Sequence, residues 1–218
     1  MRFLITAGPT REPIDPVRYL SNRSSGKMGY AIAEAAIDAG HEVVLISGPV
    51  NVDPPRGAEL SSVSTSDEMF DAVQQEAPRS DVLVMCAAVA DYKPAKAFKH
   101  KIKKHDATLS LELTPTRDIL ASLPPKDRQY VVVGFAAETE NIEANARKKL
   151  QEKNCDVVVA NDISRSDSGM ESDQNEVTIL FRDGEIKTIS RAPKTIIARE
   201  LIKIFENVCE KRLTKKIA

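Results

Sequence analysis

Four segments carry residue types suited to handling a charged small molecule. The first is long and polar: Gly8-Pro9-Thr10-Arg11-Glu12-Pro13-Ile14-Asp15-Pro16-Val17-Arg18-Tyr19-Leu20-Ser21-Asn22-Arg23-Ser24-Ser25-Gly26-Lys27-Met28-Gly29. Its hydroxyls, its glycine backbone and the first amides of the helix it leads into can hold an anion. It is not a P-loop, because GxxxxGK[ST] requires Gly where Ser21 stands and Ser or Thr where Met28 stands. GxGxxG is also absent. The second segment is Ala87-Ala88-Val89-Ala90-Asp91-Tyr92-Lys93-Pro94. Small residues there let a ligand approach the backbone, and Asp91 offers a carboxylate to a metal or a sugar. The third, His100-Lys101-Ile102-Lys103-Lys104-His105, is a basic cluster able to clamp a polyphosphate. The fourth, Gly134-Phe135-Ala136-Ala137-Glu138-Thr139, precedes a helix on which Lys149 and Lys153 share a face at i, i+4. Phe135 can stack on a base. Each segment also has a plainer reading: a solvated loop, close packing with Asp91 as a cap, surface charge, or a core phenylalanine.

The elements that would position these segments follow from apolar periodicity. Strands are expected over 3–7, 41–47, 81–89, 130–135 and 156–160. Those over 81–89 and 130–135 are apolar almost throughout, as in strands covered on both faces of a parallel sheet. Helices are expected over 26–39, ended by Gly40, from a Ser66 cap to about Ala77, and over 141–154. This alternation predicts a Rossmann-like, doubly wound α/β fold: an open, mostly parallel sheet with helices on both faces. In such sheets ligands sit outside the carboxyl ends of the strands, where the second and fourth segments fall. Residues 176–181 and 185–190 flank Asp183-Gly184, a hairpin turn signal. Pro193 then opens a C-terminal helix with Ile196, Ile197, Leu201, Ile204, Phe205 and Val208 inward. The expected organisation is one domain over 1–213 with a frayed basic tail over 214–218.

Composition narrows the function classes. The chain has 218 residues, 42% of them hydrophobic and 29% charged, with a net charge of −1. That removes the electrostatic case for a non-specific nucleic-acid binder. No apolar stretch is long enough to span a membrane. Three cysteines, Cys86, Cys155 and Cys209, lack CxxC spacing, which disfavours a disulfide framework and a zinc site. Cytoplasm is the expected compartment.

ITAGPTREPIDPVRYLSNRSSGKMG, AAVADYKP, KIKK and GFAAETE, in this order, resemble the phosphopantothenate–cysteine ligases of coenzyme A biosynthesis. The resemblance runs from Leu4 through the C-terminal helix. In many bacteria this ligase is fused behind a flavin-dependent phosphopantothenoylcysteine decarboxylase. The resemblance implies the ligase without that fused domain, and a separate decarboxylase as a possible partner. It implies joining of 4′-phosphopantothenate to L-cysteine, with CTP and Mg²⁺, through an acyl-cytidylate, by a homodimer. Asn22 and Lys101 match the family's catalytic positions, for conversion of the acyl-nucleotide and for activation. Ala87, Asp91, Lys101, Arg117, Asp118, Ile119, Leu120, Phe135, Lys149 and Lys153 match nucleotide-binding positions, with Asp91 also the metal ligand. Arg18, Asn22, Ser24, Ser25, Gly26, Lys27, Ala87, Ala88 and Asn161 are assigned to phosphopantothenate, Arg18 from across the dimer interface. The chain reads Thr116-Arg117-Asp118-Ile119 where bacterial relatives commonly have Asn-Pro-Asp-Ile. The rival reading is a non-catalytic Rossmann-like nucleotide-binding module; the missing GxGxxG argues against NAD.

Overall fold

A computed structural model describes residues 1–104, 108–124, 128–138, 140–162 and 172–217. His105 and Thr139, in the third and fourth segments, lie outside the described residues. One eight-stranded sheet dominates, in the order β12-β11-β10-β9-β6-β1-β4-β5. Six strands are parallel: β1 (Arg2–Ala7), β4 (Glu42–Ser47), β5 (Glu59–Ser62), β6 (Val82–Met85), β9 (Val131–Glu138) and β10 (Val157–Asp162). The edge hairpin of β11 (Gln174–Phe181) and β12 (Ile186–Pro193) is antiparallel. Its turn has Gly184 at φ 94°, a conformation glycine reaches at no steric cost.

Strand alternation divides the core. Phe3 and Ile5 face α1 (Lys27–Asp38) and α5 (Lys194–Ile217), while Leu4 packs with α2 (Ser66–Glu76), α3 (Ile119–Ser122) and α4 (Ile142–Glu152). Helices thus cover both faces, as the apolar central strands require. Two small hairpins stand off the sheet: β2 (Arg11–Pro13) with β3 (Tyr19–Ser21), and β7 (Tyr92–Pro94) with β8 (Leu113–Pro115). The sequence pattern missed both, since three-residue polar strands carry no periodicity.

Several expectations are corrected. The strand expected over 81–89 ends at Met85. Beyond it, Ala87 and Ala90 donate their amides to Thr6 Oγ1 (3.1 Å) and Thr10 Oγ1 (3.0 Å), so hydroxyls on the β1 side replace the ladder. Thr65, not Ser66, caps α2, in a capping box with Glu68. Ile196 is 44% exposed rather than inward, while Ile197, Leu201 and Phe205 are buried. Ala198 and Ile202 complete that inner face, rotated from the expected one. Pro193 closes β12, and α5 starts one residue later. Its backbone stays helical to Ile217, through most of the stretch expected as a frayed tail. Among the described residues no helix is long and apolar enough to cross a membrane.

Candidate active-site cleft

Chain order reverses beside β1: α1 leads to β4 on one side, and α2 leads to β6 on the other. That is the switch point where open α/β sheets leave a crevice. A cleft of about 860 Å³ opens there. Its near wall is the start of α1. Gly26, the N-cap, sits at φ 76° and supplies no capping side chain. A Cβ there would come within 2.6 Å of Val50, so glycine is required on steric as well as conformational grounds. With no cap and no acidic residue in its first turn, α1 presents a helix start suited to an anion. Ser24 and Lys27 flank it and line the cleft.

Asn22 is held by a specific arrangement. Its Nδ2 donates to Ala88 O (3.0 Å) and Val89 O (3.2 Å). Two carbonyl acceptors fix the amide's orientation and leave Oδ1 as the acceptor. The loop after β6 is itself tied to the loop after β1, through Ala88 N donating to Gly8 O (2.9 Å) and the Pro9–Ala88 bridge. Ala87, Ala88 and the exposed Asp91 therefore line the cleft beside Asn22.

The opposite wall comes from β9, α3 and α4. Phe135 is half-buried, and Lys149 Nζ donates to its carbonyl. Burial holds the Lys149 ammonium below the ordinary lysine range. Lys153 pairs with Asp118, which raises the lysine. Burial pushes the Asp118 carboxyl up, but hydrogen bonds from Lys153 and the Ala121 amide (2.9 Å) outweigh it and hold it low. Asp118 is the N-cap of α3, which presents Ile119 and Leu120 to the cleft.

Arg117 lines the cleft with its guanidinium committed to α2. Nε donates to Asp67 Oδ1 (2.9 Å), Nη2 to Asp67 O (3.0 Å), and Nη1 pairs with Asp71 (2.9 Å). The group stacks 3.9 Å over the Phe70 ring. These bonds join the 116–120 segment to α2.

The structure gathers most of the nominated residues in one cleft, Asn161 included. Three lie outside its lining: Ser25, Arg18 and Lys101. Lys101 is exposed. Arg18 donates to Asp15 through Nε (3.0 Å) and Nη2, and through Nη2 to Ile102 O (2.9 Å). It is thus tied to the lysine-rich segment of its own chain.

Sequence reasoning missed Asn175 and Lys194, both buried and both lining the cleft. Burial lowers the Lys194 ammonium, and Lys27 nearby lowers it further. One signal was available: a lysine in a helix's first turn opposes the helix dipole and needs a reason. Cys86 also lines the cleft, but burial pushes its thiol up to about 12, which makes it a poor nucleophile. All three cysteines are free, as expected.

Residues 1–208 match the family model described as "DNA/pantothenate metabolism flavoprotein C-terminal domain". The coenzyme A biosynthesis bifunctional protein CoaBC of Bacillus subtilis (strain 168) is 48% identical over 200 residues, covering 91% of this chain and 49% of that protein. The protein of the same name from Escherichia coli (strain K12) is 43% identical over 206 residues, covering 93% and 50%. The chain therefore spans about half the length of these relatives. A solved C-terminal domain of a CoaBC protein superposes with a TM-score of 0.82 at 43% identity, covering 96% of each chain. A DNA/pantothenate metabolism flavoprotein from Streptococcus pneumoniae, 24% identical with a TM-score of 0.81, shares the fold. With that match over nearly its whole length and a cleft lined by the residues its motifs nominate, the chain belongs to the DNA/pantothenate metabolism flavoprotein C-terminal domain family.

Proposed function

We propose that this chain joins 4′-phosphopantothenate to L-cysteine, with CTP as the activating nucleotide. The substrate carboxylate attacks the α-phosphorus, the bond to the β-phosphate breaks, and pyrophosphate leaves. The cysteine amine then attacks the acyl carbon of the acyl-cytidylate and displaces CMP, giving 4′-phosphopantothenoylcysteine. One observation carries the reading: Asn22, Asp91, Phe135, Lys149 and Lys153, from separate segments, line a single cleft at the switch point of the sheet. Two anions must meet in the first step, so cations must offset their repulsion. Lys149 and Lys153 supply charge on one wall, and Lys27 and Lys194 on the other. Asn22 braces the Ala88–Val89 carbonyls and offers Oδ1 as an acceptor to an N–H or O–H donor of the bound substrates, such as the incoming amine.

Magnesium fits this donor set. Among the described residues no group of three or more His, Cys, Asp and Glu side chains is arranged to hold a metal. One exposed carboxylate, Asp91, together with nucleotide phosphate oxygens, is the usual Mg²⁺ arrangement. Bound there, the ion would neutralise phosphate charge.

A homodimer completes the proposal. Arg18 and Lys101 do not line their own chain's cleft, and Arg18 is bonded to the segment that carries Lys101; in the proposed dimer both serve the neighbouring subunit's cleft. A phosphopantothenoylcysteine decarboxylase, fused or separate, is the proposed consumer of the product. The test is pyrophosphate release requiring both CTP and 4′-phosphopantothenate. CTP is expected to exceed ATP in kcat/KM, because the Phe135 wall suits a pyrimidine better than a larger purine. Nucleotide binding without pyrophosphate release would favour a non-catalytic module, and an ATP preference would overturn the CTP assignment.

A further inference from the structure

We propose that Asp15 is a positioning residue that presets Arg18 and Lys101 as one cationic unit. It lies on the loop between β2 and β3, whose tip residues Pro16, Val17 and Arg18 are all exposed. Yet the Asp15 side chain is fully enclosed, at 0% exposure. A buried carboxylate is costly unless its lone pairs are satisfied, and here both oxygens are. Oδ1 accepts from the amides of Val17 (2.8 Å) and Arg18 (2.9 Å). Oδ2 accepts from the Arg18 guanidinium and from the amide of Ile102 (3.0 Å), 87 residues along the chain.

The Ile102 contact places the effect. Ile102 separates Lys101 from Lys103. Its N–H is held by Asp15 and its carbonyl by Arg18 Nη2 (2.9 Å), so both ends of one residue's backbone sit in the same ion pair. Phe98 N donating to Ile14 O (2.8 Å) is a second anchor between these loops. No helix or strand spans 95–104, so these bonds are what orders the segment that displays Lys101. The pair also orients Arg18 by engaging its Nε and Nη2. The Arg18 guanidinium holds the Asp15 carboxyl well below the usual carboxylate range, so the clamp stays charged at any assay pH.

This inference rests on the ligase reading for its catalytic consequence but not for its structural one, and the experiment separates them. Asp15→Asn keeps the shape but removes the charge. The first measurement is trypsin cleavage after Lys101, Lys103 and Lys104, followed by mass spectrometry on the intact chain. Cleavage there is expected to accelerate at least tenfold while the melting temperature and cleavage elsewhere stay near wild type. The second is pyrophosphate release, expected to fall on the order of tenfold in kcat with a smaller change in the KM for CTP. Ile102→Pro leaves Asp15 in place, removes the N–H donor to it and should reproduce faster cleavage after Lys103 and Lys104. Ile102→Ala, which keeps the N–H, is expected to stay near wild type as the side-chain control. This pair keeps the proposal testable if Asp15→Asn misfolds. Unchanged cleavage in the folded variants overturns the clamp. Faster cleavage with undiminished pyrophosphate release overturns its catalytic role. Wild-type protein that releases no pyrophosphate defeats the ligase reading and leaves the cleavage result to judge the clamp.

Discussion

Lys149 and Lys153 share a helix face but titrate in opposite directions. Burial lowers Lys149, whereas the bond to Asp118 raises Lys153. As pH rises, Lys149 loses its proton first, below the ordinary lysine pKa of about 10.4. The KM for CTP should therefore rise on the alkaline side, and Lys149→Arg should move that limb to higher pH, since guanidinium keeps its charge. Superimposable KM–pH profiles would exclude Lys149 from nucleotide binding. Asn22 makes a second residue-level prediction. In Asn22→Asp, a carboxylate would face the Ala88 and Val89 carbonyls that the amide now bonds, and repulsion would displace both loops. Acyl-cytidylate should accumulate when cysteine is limiting, because the second half-reaction slows more than the first. Equal intermediate in wild type and variant would assign Asn22 another role.

At the scale of elements, α2 braces the cleft from behind. Its capping box satisfies orphan amides, and its Asp67, Phe70 and Asp71 hold Arg117 and with it the 116–120 segment. Thr65→Ala should cost about 1 kcal/mol of stability, typical of a lost N-cap, measured by urea unfolding. The KM for CTP should barely move, since Arg117 keeps its partners. A loss well below that value would mean that packing alone holds the helix start. The Lys93 hydrogen bond, with help from Arg117, lowers the Asp67 carboxyl below its ordinary value. Its folded pKa lies below its unfolded one, so this contribution is complete above the ordinary Asp pKa. It fades as pH falls below that ordinary value and is lost once pH has fallen through the lowered folded value. The stability deficit of Asp67→Asn should accordingly be present at neutral pH and vanish in strong acid.

At the scale of the whole molecule, a homodimer has consequences that mixing experiments read. Lys101→Gln spoils the arm and spares the cleft, while Asn22→Asp spoils the cleft and spares the arm. If the arm serves the neighbour, their heterodimers hold one site with both parts intact, and mixing equal amounts should restore activity toward about a quarter of wild type, since only about half of the dimers are mixed and each has one working site. Arg18→Ala mixed with Lys101→Gln should restore none, because both residues ride on one arm and every site then meets a defective one. Rescue of the second pair, or failure of the first despite proven subunit exchange, would rule out the shared arrangement.

Apolar runs were enough to read the central strands, because long-range burial writes a local pattern when a strand is covered on both faces, and turn and stop signals such as Asp183-Gly184 and Gly40 added the edge hairpin and the end of α1. The cleft's position followed, since strand ends are legible once the strands are. Residue type singled out Asp91, Phe135, Lys149 and Lys153 within their segments, while the role of Asn22 came from the resemblance of its motif. Tertiary structure alone decided the rest. Lys194 and Asn175 reach the cleft only because β11 and β12 fold back along β10. Arg117 is tied to α2 because that helix carries its partners, about 50 residues away. The link between Asp15 and Ile102 joins two loops with no pattern of their own. Such contacts are side chain to side chain or side chain to backbone across the fold. They leave no period in the sequence, and only the packed sheet and its loops bring the partners within hydrogen-bonding distance.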